Sequence, residues 1–339
     1  MTSAMKESAP SRHAKPWAMI VVLVLFIGAG AMVVLALRPT GPTVAAAGTG
    51  PRSADEALNA VIALKRDGEH AKAEAILRQA VVEFPGVQRL HVEYAEVLAA
   101  LNKAEESLAH YERALEIGPR DGAIEFATGT AASMTGNHTR AEVHYAAAQA
   151  ADKSDWKAPL FLAQVQLKQS TPEKTQEAKK NLFIAAKLNP DSAMPWGTLA
   201  EIALRENKAG IALQHVRKAR ELEPRVTLWR VIEARALKRE NRPEEALSVL
   251  IGLDEAQRRE PGVMQTIAEC YGALGRPKDA AAMYAKASDS DVSNGTWAME
   301  AALWLDRAGE AQRAIIYATR AAGEEIPGAA ELLARLKGQ

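Results

Sequence analysis

The side chains able to do chemistry are few in this chain, and their spacing argues against a reaction centre. Seven histidines are present: His13, His70, His91, His110, His138, His144 and His215. No two stand three or four residues apart, so no helix can turn a pair toward one metal ion as an HExxH segment does. His138 and His144, six apart, read as a surface pair flanking a turn. The single cysteine, Cys270, excludes an intrachain disulfide and a thiolate zinc cluster. Lying in a helical run beside Tyr271, it reads as a packing residue. No phosphate-cradling glycine loop occurs: Gly28 and Gly30 sit inside an apolar run, and no Gly-Lys-Ser or Gly-Lys-Thr appears. A Gly-x-Ser-x-Gly nucleophile elbow is missing too. The expectation is therefore a non-enzyme with no catalytic residue, metal site or cofactor, and no small-molecule substrate.

The elements that would have to position any site are unusually regular. Gly68, Asn102 and Gly136 recur at one constant spacing, and Asn207, Asn241, Gly275 and Gly309 repeat that spacing on a second register. The two registers are offset by three residues. Five residues after each rung comes a small residue: Ala73, Ser107, Ala141, Ala212, Ala246, Ala280 and Ala314. Twelve after each rung the series is Ala80, Ala114, Ala148, Ala219, Leu253, Ala287 and Ala321. Self-similarity with a period of ~34 residues predicts a solenoid of helical hairpins. The first helix of each unit ends near the Gly or Asn rung, residues that accept a left-handed helix terminus. The second runs toward a proline, clearest at Pro85, Pro119, Pro190 and Pro224. The alanines fall where two helices crossing at ~8–10 Å leave no room for a large side chain.

This pattern resembles the tetratricopeptide repeat, with small residues at its eighth, twentieth and twenty-seventh positions and proline at the thirty-second. The fifth unit matches through Trp196, Leu199, Ala200, Ala212, Ala219 and Pro224, and the second through Ala95, Tyr111, Ala114 and Pro119. Gly129, Ala141, Tyr145 and Ala148 carry the third, and Ala268, Tyr271, Ala280, Tyr284 and Ala287 the seventh. The first unit has Val61 at the eighth position. Three extra residues in the fourth are expected in its inter-helix turn, around Ser170–Pro172. The sixth departs with Leu253, with Glu233 at a normally apolar position, and with an extended end reaching Pro261. The fold expected is all-α, a right-handed solenoid of about eight hairpins preceded by one transmembrane helix. The repeats occupy 54–326, at about 54–87, 88–121, 122–155, 156–192, 193–226, 227–260, 261–294 and 295–326, and residues 327–339 form a capping helix.

Ahead of the repeats, the stretch 17–37 carries no charge, and ~20 residues suffice to cross a bilayer as a helix. The run is too long for a signal-peptide core, and the nearest small-residue cleavage pattern, Ala45-x-Ala47, lies well beyond it. An uncleaved anchor in contact with membrane lipid is expected. Lys6, Arg12 and Lys15 on the tail 1–16 outweigh Arg38 and Arg52 beyond the span. The positive-inside rule then keeps the N-terminus cytoplasmic and sends the repeats to the exoplasmic side, periplasmic or extracellular. Residues 38–53, rich in Pro, Gly, Thr and Ala, read as a flexible linker.

With 42 Lys plus Arg against 42 Asp plus Glu, the chain is neutral overall, and nothing favours nucleic acid. What a solenoid offers is surface. The resemblance implies that first helices line a groove, with Leu58 and Ile62 in the first repeat, Val92 and Glu96 in the second, Phe126 and Thr130 in the third, and Leu160 and Gln164 in the fourth. Leu58 and Ile62 stand where chaperone-tail clamps of this family carry Lys and Asn, so that clamp is not expected here. Farther along, Glu201, Arg205, Gln265 and Glu269 make the groove polar, while Arg217–Arg220 and Arg235–Arg242 read as solvated faces. The function expected is a membrane-anchored scaffold that binds a protein or peptide segment without chemistry. Its domain order resembles that of several bacterial envelope proteins. A homo-oligomeric or secretion-type assembly module, or a non-catalytic subunit of a membrane enzyme, is the alternative.

Overall fold

The computed structural model describes residues 53–338; the expected span at 17–37, the tail before it and the linker up to residue 52 lie outside the described residues. Among the described residues every regular element is helical, and no helix is long and apolar enough to cross a membrane. Eight hairpins follow in chain order: α1 (Ala54–Arg66) and α2 (His70–Glu83), α3 (Gln88–Ala100) and α4 (Ala104–Ile117), α5 (Gly122–Met134) and α6 (His138–Ala151), α7 (Lys157–Lys168) and α8 (Pro172–Leu188). The series continues with α9 (Met194–Arg205) and α10 (Ala209–Leu222), then α11 (Thr227–Arg239) with α12 (Pro243–Ile251) and the short α13 (Glu255–Arg258). The last two hairpins are α14 (Pro261–Ala273) with α15 (Pro277–Ser290) and α16 (Gly295–Arg307) with α17 (Ala311–Gly323), and α18 (Ala329–Lys337) closes the stack. The all-helical solenoid read from the ladder of rungs is what the described residues form.

The rungs explain the turns. Gly68, Asn102, Gly136, Asn207, Asn241, Gly275 and Gly309 all have positive φ, between 57° and 78°. The next residue's N–H reaches back to a carbonyl five positions earlier, as in Glu69 to Leu64 and Lys208 to Ala203, so the helix end is closed and the chain reversed in one step. Ser170 is the eighth member, with φ of 57°, and it stands one full period after Gly136 on the first register. The three extra residues of the fourth repeat are therefore not in the turn. α8 starts two residues after its rung like the other second helices, but it runs for 17 residues where α6 and α10 have 14. Its buried small residues move to Ala178 and Ala185. Thr171 caps the Lys174 N–H and Pro172 occupies the first turn, so three residues, close to one helical turn, are wound in at the start of the helix.

Packing follows the small residues. Ala73, Ala141, Ala212, Ala246, Ala280 and Ala314 are fully buried, as is Ser107, whose hydroxyl donates to the Ala95 carbonyl at 2.7 Å. In the sixth repeat the second helix stops at Ile251. After Gly252 the bulky Leu253 is buried, and a capping box of Asp254 and Gln257 starts α13. The extended end read toward Pro261 is this break. Glu233, only 2% exposed, is held between Arg217 and Arg220 of α10, which is how a carboxylate occupies an apolar position. α18 buries Ala329, Leu332 and Leu336 against the last hairpin. First helices of successive repeats also touch one another (α1 with α3, α9 with α11, α11 with α14), while no successive second helices make a comparable contact among the described residues. The first helices thus form the inner face of the stack.

Candidate functional site

The inner face sorts the eight expected groove residues into three groups. Leu58 and Leu160 are each 4% exposed and belong to the cores between helices, so they offer a partner almost no surface. Ile62 is exposed, Val92 is half-buried, and Glu96 is exposed and bonded to Lys65, which also pairs with Glu93 at 2.6 Å. Phe126, Thr130 and Gln164 are half-buried and meet at one place, between the third and fourth repeats.

That place is a cleft of about 270 Å³ whose walls include Thr130, Met134, Tyr145, Phe161, Gln164 and Lys168. Phe126, Tyr145 and Phe161 form an aromatic triad behind it, with ring centroids 5.2 to 5.7 Å apart. Each such pair adds ~0.5–1.5 kcal/mol beyond its area burial, so the cleft has a rigid wall. The Tyr145 hydroxyl donates to Thr130 Oγ1 at 3.1 Å, and Thr130 donates to the Phe126 carbonyl at 3.0 Å. Burial pushes the Tyr145 hydroxyl above the ordinary tyrosine range. Gly129 lets the ring lie close: a Cβ there would stand 2.9 Å from Tyr145 Cδ1. Met134 is half-exposed at the edge. An apolar side chain of a partner could enter beside Met134 and Phe161, with Gln164 and Lys168 left for its backbone or polar flank.

The histidines do not assemble a site but form a column. His110, His144 and His215 follow the ladder's own spacings: His144 comes one period after His110, and His215 two periods and three positions after His144. Each lies on a second helix and faces the equivalent residue of its own first helix. His110 Nδ1 is 3.0 Å from His91 Nδ1, His144 Nδ1 is 2.8 Å from Glu125 Oε2, and the His215 ring stacks on Trp196 at 5.7 Å. Burial holds His91, His110 and His215 below the usual imidazole range. Glu125, 1% exposed, also has Arg120 at 3.4 Å. Glu112 lies 3.8 Å from His144 Nε2 and 3.1 Å from Arg140. No hydroxyl or thiol bonds this acid–histidine group among the described residues, so it has no nucleophile to activate. His138 does not pair with His144; its ring lines the aromatic cleft. Pairwise spacing overlooks the column, whereas its repeat spacing is open to view in the chain. No group of three metal-ligating side chains forms among the described residues. Cys270 is fully buried and its thiol is pushed up to about 11, which leaves it unreactive at neutral pH.

Comparison with known proteins agrees with this architecture. A tetratricopeptide repeat model matches residues 58–122, and the model of the N-terminal tetratricopeptide repeat region of Psidin matches residues 201–305. No curated protein sequence matches the chain. Among solved structures, a tetratricopeptide repeat protein from Parabacteroides merdae superimposes with a TM-score of 0.59 at 15% identity, over 74% of this chain and 99% of that one. The C-terminal part of a repeat protein from Cytophaga hutchinsonii gives 0.57 at 14% identity, over 70% and 97%. A chain of the APC/C hetero-tetramer Cut9–Hcn1 gives 0.53 at 12% identity, over 84% of this chain and 56% of that one. At these identities the likeness is one of fold.

Proposed function

Since the units of this solenoid are tetratricopeptide repeats, we propose that the protein is a membrane-anchored adaptor whose inner face captures a segment of a partner protein. Residues 17–37 are the anchor in this reading, with the N-terminus cytoplasmic and the repeats on the exoplasmic side. The tether confines capture to the membrane surface and raises the effective concentration of partners held there. The carrying observation is the cleft between the third and fourth repeats, where a rigid aromatic wall, a half-exposed methionine and adaptable polar groups lie together on the inner face. Such a combination suits an apolar anchor residue of an extended or helical peptide. Binding, with no bond made or broken, is the activity.

A second reading, an assembly module, draws support from apolar residues exposed on second helices, Val143 at 62% and Ile316 at 60%. Photo-crosslinking separates the two. A photoreactive residue is placed at Met134, Gln164 or Val143 of the full chain in its native membrane, and the adducts are identified by mass spectrometry. Recurring partner adducts are expected from Met134, lost when Q164R is added, and from Gln164, lost when M134R is added. Adducts confined to Val143, or only to a second copy of the chain, would replace the adaptor by the assembly module. A reporter fused after Gln339 that works only outside the cytoplasm tests the orientation, and activity of a cytoplasm-only reporter would reverse it.

A further inference from the structure

Beyond the aromatic cleft the inner face changes character. Between the fifth, sixth and seventh repeats lies another cleft, of about 370 Å³, whose walls include Glu201, Arg205, Arg235, Lys238, Arg239 and Glu269. Four cations thus face two carboxylates, and the carboxylates do not neutralise them evenly. Glu269 is taken up by Lys238 and, through its other oxygen, by Gln265 at 3.1 Å. Arg239 donates to the Leu204 carbonyl. Arg205 and Arg235 have no carboxylate or carbonyl partner among the described residues, and Glu201, one helical turn before Arg205, forms no bridge to either. Arg235 is half-buried, and its guanidinium has gained no acceptor from the rest of the molecule. Lys168, one repeat before Arg205 on the same face, is exposed and likewise without a carboxylate. The contrast with the first two repeats is plain, since Lys65 there is matched by both Glu93 and Glu96.

A guanidinium presents donors in a fixed fork that fits a carboxylate bidentately, and unmatched charge in a cleft selects the opposite charge in what enters it. We propose that Arg205 and Arg235 receive side-chain carboxylates of the captured segment, so that the partner sequence is acidic where it crosses the fifth to seventh repeats. This rests on the adaptor reading and adds the chemical class of the ligand. Sequence reading puts Arg205 in the polar part of the groove and assigns Arg235 to a solvated face; only the stacked repeats show that both are left unpaired.

The test is a selection of random dodecapeptides displayed on phage against the purified full chain, run in parallel on R205Q/R235Q and R205K/R235K. The wild-type pool should be enriched at least threefold in Asp and Glu over the starting library. That bias should vanish with the Gln pair and survive in part with the Lys pair. Synthetic peptides from the pool should lose at least tenfold in affinity against the Gln pair, and also when their carboxylates are converted to amides. Neither arginine bonds the rest of the molecule, so circular dichroism of both variants should match the parent. A pool enriched without acidic bias, or an acidic pool indifferent to the Gln pair, overturns this inference and leaves the adaptor reading standing. No enrichment of any peptide overturns both.

Discussion

Replacing Gly197 by Ala should loosen the junction between the fifth and sixth repeats, although alanine is the better helix former. Gly197 lies within α9 against the ring of Trp229 on α11. A Cβ at residue 197 would stand 2.1 Å from Trp229 Cζ3 and 2.4 Å from Cη2. Carbon atoms pack at ~3.5–4.0 Å, so the ring must retreat by more than an ångström. It is poorly placed to do so, being 3% exposed and tied through Nε1–H to Glu223 Oε2 at 3.2 Å. Helix propensity returns ~1 kcal/mol, while overpacking costs ~1–3 kcal/mol and a lost hydrogen bond ~1 kcal/mol. The net is a local loss of about 1–3 kcal/mol.

Because repeat arrays open by neighbours, the assay is hydrogen exchange followed residue by residue. Amides of α9 and α11 should lose about tenfold in protection, the equivalent of ~1.4 kcal/mol, while those of α1 to α4 hold. Gly262→Ala in α14 is the control: nothing lies within 4 Å of the added Cβ, so protection there should hold or rise. Truncating the ring as well, in G197A/W229L, should cost less than the sum of the single changes. Unchanged or greater protection in G197A would refute the reasoning, since it would mean the ring is free to move.

The turns and the histidine column carry two more expectations. Ser170 holds a left-handed conformation that glycine accepts without penalty, so S170G should raise stability by ~0.5–1 kcal/mol in urea denaturation of the fourth repeat. No gain would contradict the strain assigned to that turn. His91, His110 and His215 are held neutral by burial, below the usual imidazole value. The unfolded chain therefore binds protons first, at ~6.5; stability is complete above that pH and falls as the pH drops below it. Thermal melts should be lower at about pH 5.5 than at about pH 7.5. H110N and H215N, which introduce the residue found at the equivalent Asn181, should flatten the dependence. A melting temperature independent of pH over this range would refute the claim that burial holds these histidines neutral.

Much of the fold is legible in the chain because the turns demand particular residues. A rung that must adopt positive φ selects Gly or Asn, and a helix crossing that admits only a methyl selects Ala, so both leave a periodic trace. Ser170 hides one rung, because serine bears the conformational cost without announcing it. The three extra residues then look like part of the turn, when they lengthen α8. Glu233 looks misplaced on a core position because its two arginines sit on the preceding helix, across the turn between two repeats. The cleft is legible in part. Phe126, Thr130 and Gln164 can be found from their places on first helices. Met134, Tyr145 and Phe161 cannot, because their convergence depends on how the third and fourth hairpins stack.

Local pattern thus accounts for the hairpins, their number and their succession. Each hairpin needs only a terminating residue, a small contact residue and an apolar stripe within its own unit. The apolar run at 17–37 and the charge imbalance around it are equally plain in the chain. Which first-helix residues are walls and which are core is set instead by stacking, and it separates Phe126 from Leu58 and Leu160. Stacking also sets which charges stay unmatched, separating Arg205 and Arg235 from Lys65 and Lys238. Exposure and pairing at these positions depend on side chains of neighbouring repeats, brought together by a packing geometry that no single unit encodes.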